Sequence, residues 1–305
     1  MSFKEHPPQP EASPTSPIHV PVLLEVTLQA MQPHLGEKYL DLTAGYGGHA
    51  GVFLEHTKNF AESYLVDRDD RAISYLENYR KQGVTLLHTD FLAAAKQLVE
   101  SDRRFDIVLA DLGVSSPQLD QGERGFSFTH DGPLDMRMDR RQDVSAETLV
   151  NTSSKAELVD IIVRYGEERR GFATTVAEAI IDTRPLHTTK ELAELVKTVY
   201  RGPWKKIHPA TRTFQALRIA VNQELRQVDE LLPLLPKLLT PGGRVGIISF
   251  HSLEDRLVKQ YFKDQANAGY EAELSVITKK PLDGATYDVH NPRSRSAKLR
   301  VAVKK

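Results

Sequence analysis

Tyr39-Leu40-Asp41-Leu42-Thr43-Ala44-Gly45-Tyr46-Gly47-Gly48-His49 passes from a short β-prone run into a glycine turn and then into a helical pattern. Glycine at such a junction permits positive φ and lets a ligand come close to the backbone. Gly45, Gly47 and Ala50 satisfy the dinucleotide pattern G-x-G-x-x-A, so on this stretch alone a nicotinamide enzyme, an adenosyl-binding enzyme and a ligand-free tight turn all stay open.

Working outward, β-rich runs at 38–42, 63–66, 84–88 and 105–109 alternate with helical patterns at 49–57, 68–82 and 91–100. This is the signature of βαβ units on a mostly parallel sheet, and it predicts half of a doubly wound α/β domain. After Asp111 the alternation stops, and about a hundred residues show only loops and helical periodicity before the next strand, 244–250. The break predicts an inserted helical domain. Capping boxes mark two of its helix starts, Ser154 with Glu157 and Thr188 with Glu191, where hydroxyl and carboxylate satisfy free amides reciprocally. One long helix over 209–231 is expected to return the chain to the sheet, Pro241-Gly242-Gly243 to turn it into the fifth strand, and runs at 274–278 and 297–303 to supply the last two. The expected organisation is a flexible tail (1–18), a sheet domain (19–115 and 216–305) and a helical insertion (116–215).

The 305 residues include no cysteine, which excludes disulfides, thiolate nucleophiles and cysteine-ligated zinc. Methylation of cytosine carbon 5 by the usual thiolate route is excluded with them. A net charge of −1 gives no global field for nucleic acid, so any such contact must be local. Residues 1–18 lack the apolar run of a signal peptide, and no apolar stretch approaches bilayer length, so a cytoplasmic location is expected. The eleven histidines show no metal-ligand spacing and Asp131, Asp135 and Asp139 alternate with arginines, which predicts a salt-bridged loop and no catalytic metal.

Three residues at strand ends carry the candidate chemistry. Asp67 ends the second strand about twenty residues past the glycines, where a carboxylate accepts from both ribose hydroxyls. Phe91, just after the third strand, could offer a face to adenine; its ordinary reading is a core ring. Asp111 ends the fourth strand and is the catalytic candidate. Methyltransferases acting on exocyclic amines carry a D-P-P-Y type motif here. Asp111-Leu112-Gly113-Val114 keeps the acid and lacks the prolines and the stacking aromatic, a place that Phe126 or Phe128 could fill if they are not packing residues. A basic segment, with Arg184, Lys190, Lys197, Arg201, Lys205, Lys206, Arg212 and Arg218 against Glu191 and Glu194, is interleaved with Tyr200, Trp204 and Phe214. Such mixing suits single-stranded RNA; a solvated helical surface is the alternative.

The stretch Asp111-Leu112-Gly113-Val114-Ser115-Ser116-Pro117-Gln118-Leu119-Asp120, with Arg124-Gly125-Phe126-Ser127-Phe128 and 131–139 (DGPLDMRMD), resembles the RsmH (MraW) family. So do 19–24 (HVPVLL), the glycine turn, 165–169 (YGEER), 208–215 (HPATRTFQ), 248–256 (ISFHSLEDR) and 291–296 (NPRSRS). The resemblance implies a class I, Rossmann-like S-adenosylmethionine-dependent methyltransferase with a helical insertion. Its expected reaction is methylation of the exocyclic N4 of one cytidine in the decoding region of 16S ribosomal RNA. The cofactor contacts it implies fall on Gly47, Gly48, His49, Asp67, Phe91, Asp111 and Gln118. The expected partner is small-subunit ribosomal RNA or the assembled subunit, without a membrane and with a homodimer left open. Two rivals remain beside it, an NAD-dependent oxidoreductase and a non-catalytic RNA-binding assembly factor.

Overall fold

The computed structural model describes residues 21–203 and 207–305. The tail read over residues 1–18, His19, Val20, Trp204, Lys205 and Lys206 lie outside the described residues. The chain opens with α1 (Leu24–Met31), then alternates β1 (Tyr39–Asp41), α2 (Gly48–Thr57), β2 (Tyr64–Asp67), α3 (Asp70–Arg80), β3 (Thr85–His88), α4 (Phe91–Glu100) and β4 (Phe105–Asp111). Next come α5 (Ser116–Asp120), α6 (Ala146–Thr152), α7 (Lys155–Gly166), α8 (Arg170–Thr183), α9 (Thr189–Val199), α10 (Thr211–Asn222), α11 (Glu224–Leu231) and α12 (Leu235–Leu238). The sheet resumes with β5 (Leu239–Ser249), followed by α13 (Ser252–Asn267), β6 (Leu274–Val276), β7 (Leu282–Asp283), α14 (Gly284–Tyr287) and β8 (Lys298–Lys304).

The strands form one sheet in the order β3-β2-β1-β4-β5-β8-β6, with β7 also on β8. β1 to β5 pair in parallel, and β8 runs antiparallel to β5. Strand order reverses between β1 and β4, so the crevice at their carboxyl ends is the topological switch point where open α/β sheets bind ligands. One core, with Phe53, Leu54, Leu76, Ile107 and Leu109, packs α1–α3 on one face; another, with Leu98, Val108, Leu235 and Val245, packs α4, α11 and α13 on the other.

A third core belongs to the insertion and runs from Phe126 to Val221, so the packed helices reach beyond residue 215. The single helix expected over 209–231 is two. Gln223 takes φ +50 and separates α10 from α11, which turns buried Glu224 back onto Arg218 of α10 at 2.8 and 2.9 Å. The turn expected at Pro241-Gly242-Gly243 is a bulge within β5: pairing passes from Phe105–Leu239 to Ile107–Arg244, and Gly242 takes φ +79. Strand β7 has two residues, too few for a period-two pattern to reveal it.

Asn222 joins the insertion's loop to its last helix. Its Oδ1 accepts from the Met138 amide at 2.9 Å, and its Nδ2 donates to the carbonyls of Met136 (2.8 Å) and Arg218 (2.9 Å). Asn222→Ala strands a buried amide and is expected to destabilise the protein by about 2–4 kcal/mol, read as a lower urea midpoint at unchanged slope.

Candidate active site

Three neighbouring parallel strands, β1, β2 and β4, each deliver a carboxyl group to the switch point: Asp41, Asp67 and Asp111. Asp41 is buried, accepts from the Tyr39 hydroxyl at 2.8 Å and the Thr43 amide at 3.1 Å, and is pushed up to about 6 by burial, with Asp67 adding to the rise. Asp67 is also raised by burial, although its oxygens accept from the amides of Gly45 and Asp69, both at 2.8 Å. That first bond ties the glycine turn to the nucleoside-side acid. Burial raises Asp111 well above the usual carboxylate range, and Asp41 and Glu254 push the same way. Its amide donates to Thr43 Oγ1 at 2.6 Å, while its Oδ1 is sealed from solvent without a hydrogen-bond partner among the described residues.

The turn's glycines are needed for space as well as torsion. Gly47 sits at φ +80, and a side-chain carbon there would lie 2.8 Å from Tyr79 Cε2; at Gly48 it would lie 2.6 Å from Pro21 Cγ. His49 opens α2 as a buried residue, with Nε2 3.0 Å from the Val22 carbonyl. A carbonyl only accepts, so Nε2 carries a proton, and the ring turns Nδ1 toward Asp111, 3.6 Å from its Oδ2. This separation exceeds a hydrogen bond.

Gln118, a loop glutamine by sequence, is buried and works as a staple. Nε2 donates to Asp69 Oδ2 at 2.8 Å and Oε1 accepts from the Ser115 amide at 3.0 Å. Arg124, also buried, donates to the same Asp69 oxygen at 2.7 Å and to the carbonyls of Arg137 and Met138. Burial alone would raise Asp69, but Gln118 and Arg124 hold it below its ordinary value. The loop that follows β4 is thereby fixed to the turn that follows β2. Phe91 starts α4 after its cap Asp90 and rests partly buried against the sheet core.

The structure brings Gly47, Gly48, His49, Asp67 and Asp111 together, reaches Gln118 through Asp69, and places Phe91 at the neighbouring strand end. Asp41, Thr43, Asp69 and Arg124 are participants that the sequence reading missed. Asp41 had a signal, an acid closing the first strand. Arg124 had none, because its partner is 55 positions away.

Other expectations change. Phe126 lies in the insertion's core, and Phe128, partly buried, packs edge-on against Phe214 at 4.8 Å between centroids, so both rings serve packing. Phe214 is buried in that core, and Tyr200 packs edge-on against Phe172. Arg184 is bound to the carbonyls of Val150 and Ser153, and Arg218 to Glu224. The basic segment is therefore partly structural. Arg137 pairs with Asp135 at 2.6 Å and Arg141 with Asp139 at 2.8 Å, as the alternation of charges predicts. No spacing revealed that Glu224, His251 and Glu254 would gather within 4.8 Å. The Arg218 guanidinium spans both Glu224 oxygens there. Beside this cluster the turn into α13 grips the insertion, since Glu167 accepts from Ser252 Oγ and from Arg256 at 2.9 Å.

The charge of the crevice separates the two cofactor readings. A dinucleotide would bring its pyrophosphate toward three carboxyl groups, one buried and two partly buried; a sulfonium with an α-ammonium brings cations. A Rossmann-like sheet with this edge is that of an S-adenosylmethionine-dependent methyltransferase. The profile of the MraW methylase family matches residues 16–305. A ribosomal RNA small subunit methyltransferase H of a Cyanothece species is 46% identical over 290 residues, covering 93% of this chain and 94% of that protein. The protein of the same name from a Geobacter species is 46% identical, covering 94% and 98%, and that from Lawsonia intracellularis is 44% identical, covering 94% and 99%. The chain belongs to the MraW methylase family. Among the described residues, no helix is long and apolar enough to cross a membrane.

Two outcomes follow from the buried charges. A carboxyl raised in the folded state stabilises below its unfolded value near 3.8 and loses that contribution as pH rises through about 6. Asp41→Asn is therefore expected to raise the stability of the cofactor-free protein at pH 8 by about 2–3 kcal/mol, with the difference vanishing near pH 4, in paired urea titrations. Arg124→Ala leaves Asp69 buried without its guanidinium, and a loss of about 3–5 kcal/mol is expected in the same assay.

Proposed function

We propose that the protein transfers the methyl group of S-adenosylmethionine to the exocyclic N4 of a cytidine in the decoding region of small-subunit ribosomal RNA. The observation that carries this reading is Asp111: a raised, partly buried carboxyl at the switch point whose sealed Oδ1 has no hydrogen-bond partner among the described residues. Leaving a buried acceptor unpaired costs about 1–3 kcal/mol, and an amine N–H restores the pair. The relatives' shared name, a small-subunit ribosomal RNA methyltransferase, supports the RNA class.

An exocyclic cytosine nitrogen is a weak nucleophile because its lone pair is delocalised into the ring. A carboxylate accepting its N–H favours pyramidal nitrogen and the positive charge that develops during attack. The high proton affinity of Asp111 strengthens that bond, and its backbone is fixed through Thr43. S-adenosylmethionine, when bound, would supply the electrophilic methyl and leave as the neutral thioether, and the acceptor nitrogen would give up one proton to Asp111 or to water. On this reading Gly47 and Gly48 admit the cofactor along the backbone, and Asp67 accepts from its ribose hydroxyls. Asp41 and Asp111 face its cationic end, beside His49. Phe91 flanks its adenine, and Gln118 closes the site through Asp69. A cytidine within folded RNA must leave its stack to reach Asp111.

The test uses methyl-labelled S-adenosylmethionine with small subunits from cells lacking this gene, followed by mapping of the modified nucleotide. Label on one cytidine N4 is expected, and Asp111→Asn should lose about a hundredfold or more in kcat while retaining cofactor binding within about tenfold. Label on a carbon or a ribose oxygen, or full turnover by Asp111→Asn, overturns the reading. Wild-type protein that binds subunits without transfer favours an assembly factor.

A further inference from the structure

The motif after β4 lacks an aromatic residue, yet the structure places one beside it. Asp111 pairs with Ile248 across β4 and β5, and the Leu112 amide donates to the Ile248 carbonyl at 2.9 Å. Phe250, two residues on, therefore stands next to the chain leaving Asp111. A side-chain carbon at Gly113 would lie 3.4 Å from Phe250 Cδ2, so the ring abuts the backbone two residues past the candidate acid.

Beyond this ring opens a cleft of about 400 Å³ lined by Phe250, His251, Ser252, Pro281, Arg295 and Lys298. Its size lies within the range of small-ligand sites. Asp283 also borders it, with Oδ1 occupied by the Thr286 amide and hydroxyl. The segment 291–298 carries three cations of different standing. Arg293 is bound to Asp120 at 2.7 and 2.8 Å, and Lys298 to Asp255 at 3.0 Å. Arg295 is exposed and makes no hydrogen bond or ion pair among the described residues. Its backbone is held all the same, because the preceding Ser294 is fully buried and bonded to Asp288. A solvated surface arginine is the ordinary reading. Against it stand the lodging of this cation in a cleft and the aromatic ring on the side nearest Asp111.

We infer that Phe250 and Arg295 form the acceptor-nucleotide subsite, Phe250 giving the stacking face for the unstacked cytosine and Arg295 holding a phosphate of the same strand. The inference rests on the proposed RNA reaction. It moves the aromatic function from the β4 motif, where amine methyltransferases carry it, to the end of β5. It also gives a near-neutral protein a local phosphate contact.

The test measures kcat and KM for undermethylated subunits, cofactor Kd, and urea midpoints to report the fold. Arg295→Glu is expected to raise the subunit KM about tenfold or more with cofactor Kd unchanged. It should also reduce the slope of log(kcat/KM) against log salt by about 1, the loss of one phosphate contact. Arg295→Lys should recover most of the KM, since a phosphate accepts a point charge. Phe250→Ala is expected to lose between about fivefold and a hundredfold in kcat/KM, the range for one base stack, and Phe250→Tyr to recover it. Wild-type KM and salt slope in Arg295→Glu, or a Phe250→Ala loss matched by its unfolded fraction, overturn the subsite. If wild-type protein itself methylates no RNA, the underlying function fails instead, and the two failures are distinct.

Discussion

Asp41, Asp67 and Asp111 close three strands of one sheet, and the backbone that holds them has few alternatives. Each strand end is fixed by a hydrogen bond that also shapes the site: Thr43 to the Asp111 amide, Gly45 to Asp67, Tyr39 to Asp41. The three carboxyl groups line one crevice, and desolvation raises all three. Asp69 provides the contrast one turn away, because Arg124 and Gln118 compensate it and its carboxyl is lowered. The site thus combines a neutralised structural acid with uncompensated acids suited to a cationic ligand. Stability is spent where the cofactor restores it.

Much of the sheet was legible because βαβ units repeat two periodicities that sequence displays directly. The turn at Gly45–Gly48 and the acids at Asp67 and Asp111 follow from that register, since the acids close apolar strands and the turn begins just past one. What stayed hidden depends on long-range meeting. Arg124 reads as one charge in a charged loop, and only the fold shows it sealed against Asp69. Phe214 and Phe128 read as candidate RNA-facing rings and turn out to fill a helical core, because neither side of an amphipathic pattern declares which surface it meets. Gln223 breaks a helix that periodicity would continue, through a left-handed residue with no glycine to announce it.

The insertion and the sheet meet through polar groups concentrated at the start of α13. Ser252 and Arg256 hold Glu167, Glu254 accepts from the Phe250 amide at 2.9 Å, and Asp255 binds Arg300 of β8 at 2.8 Å. Against the upward push of burial, His251, Arg218 and the Phe250 amide hold Glu254 low. One short segment thereby sets the helical insertion, the end of β5 and the last strand relative to Asp111. A movement of the insertion would be felt at Phe250 through these polar contacts.

The bulged pairing of β4 with β5 joins stretches separated by everything from Leu112 to Leu238. For a flexible chain, closing so long a loop carries an entropic penalty that grows with the logarithm of its length. The insertion has its own core, and Asn222 clasps its loop to its last helix, so once folded it behaves as a compact spacer. The effective loop then shrinks to the short leads on either side. A folded insertion thereby lowers the entropic cost of bringing β4 and β5 together, so the inserted helices support the sheet they interrupt.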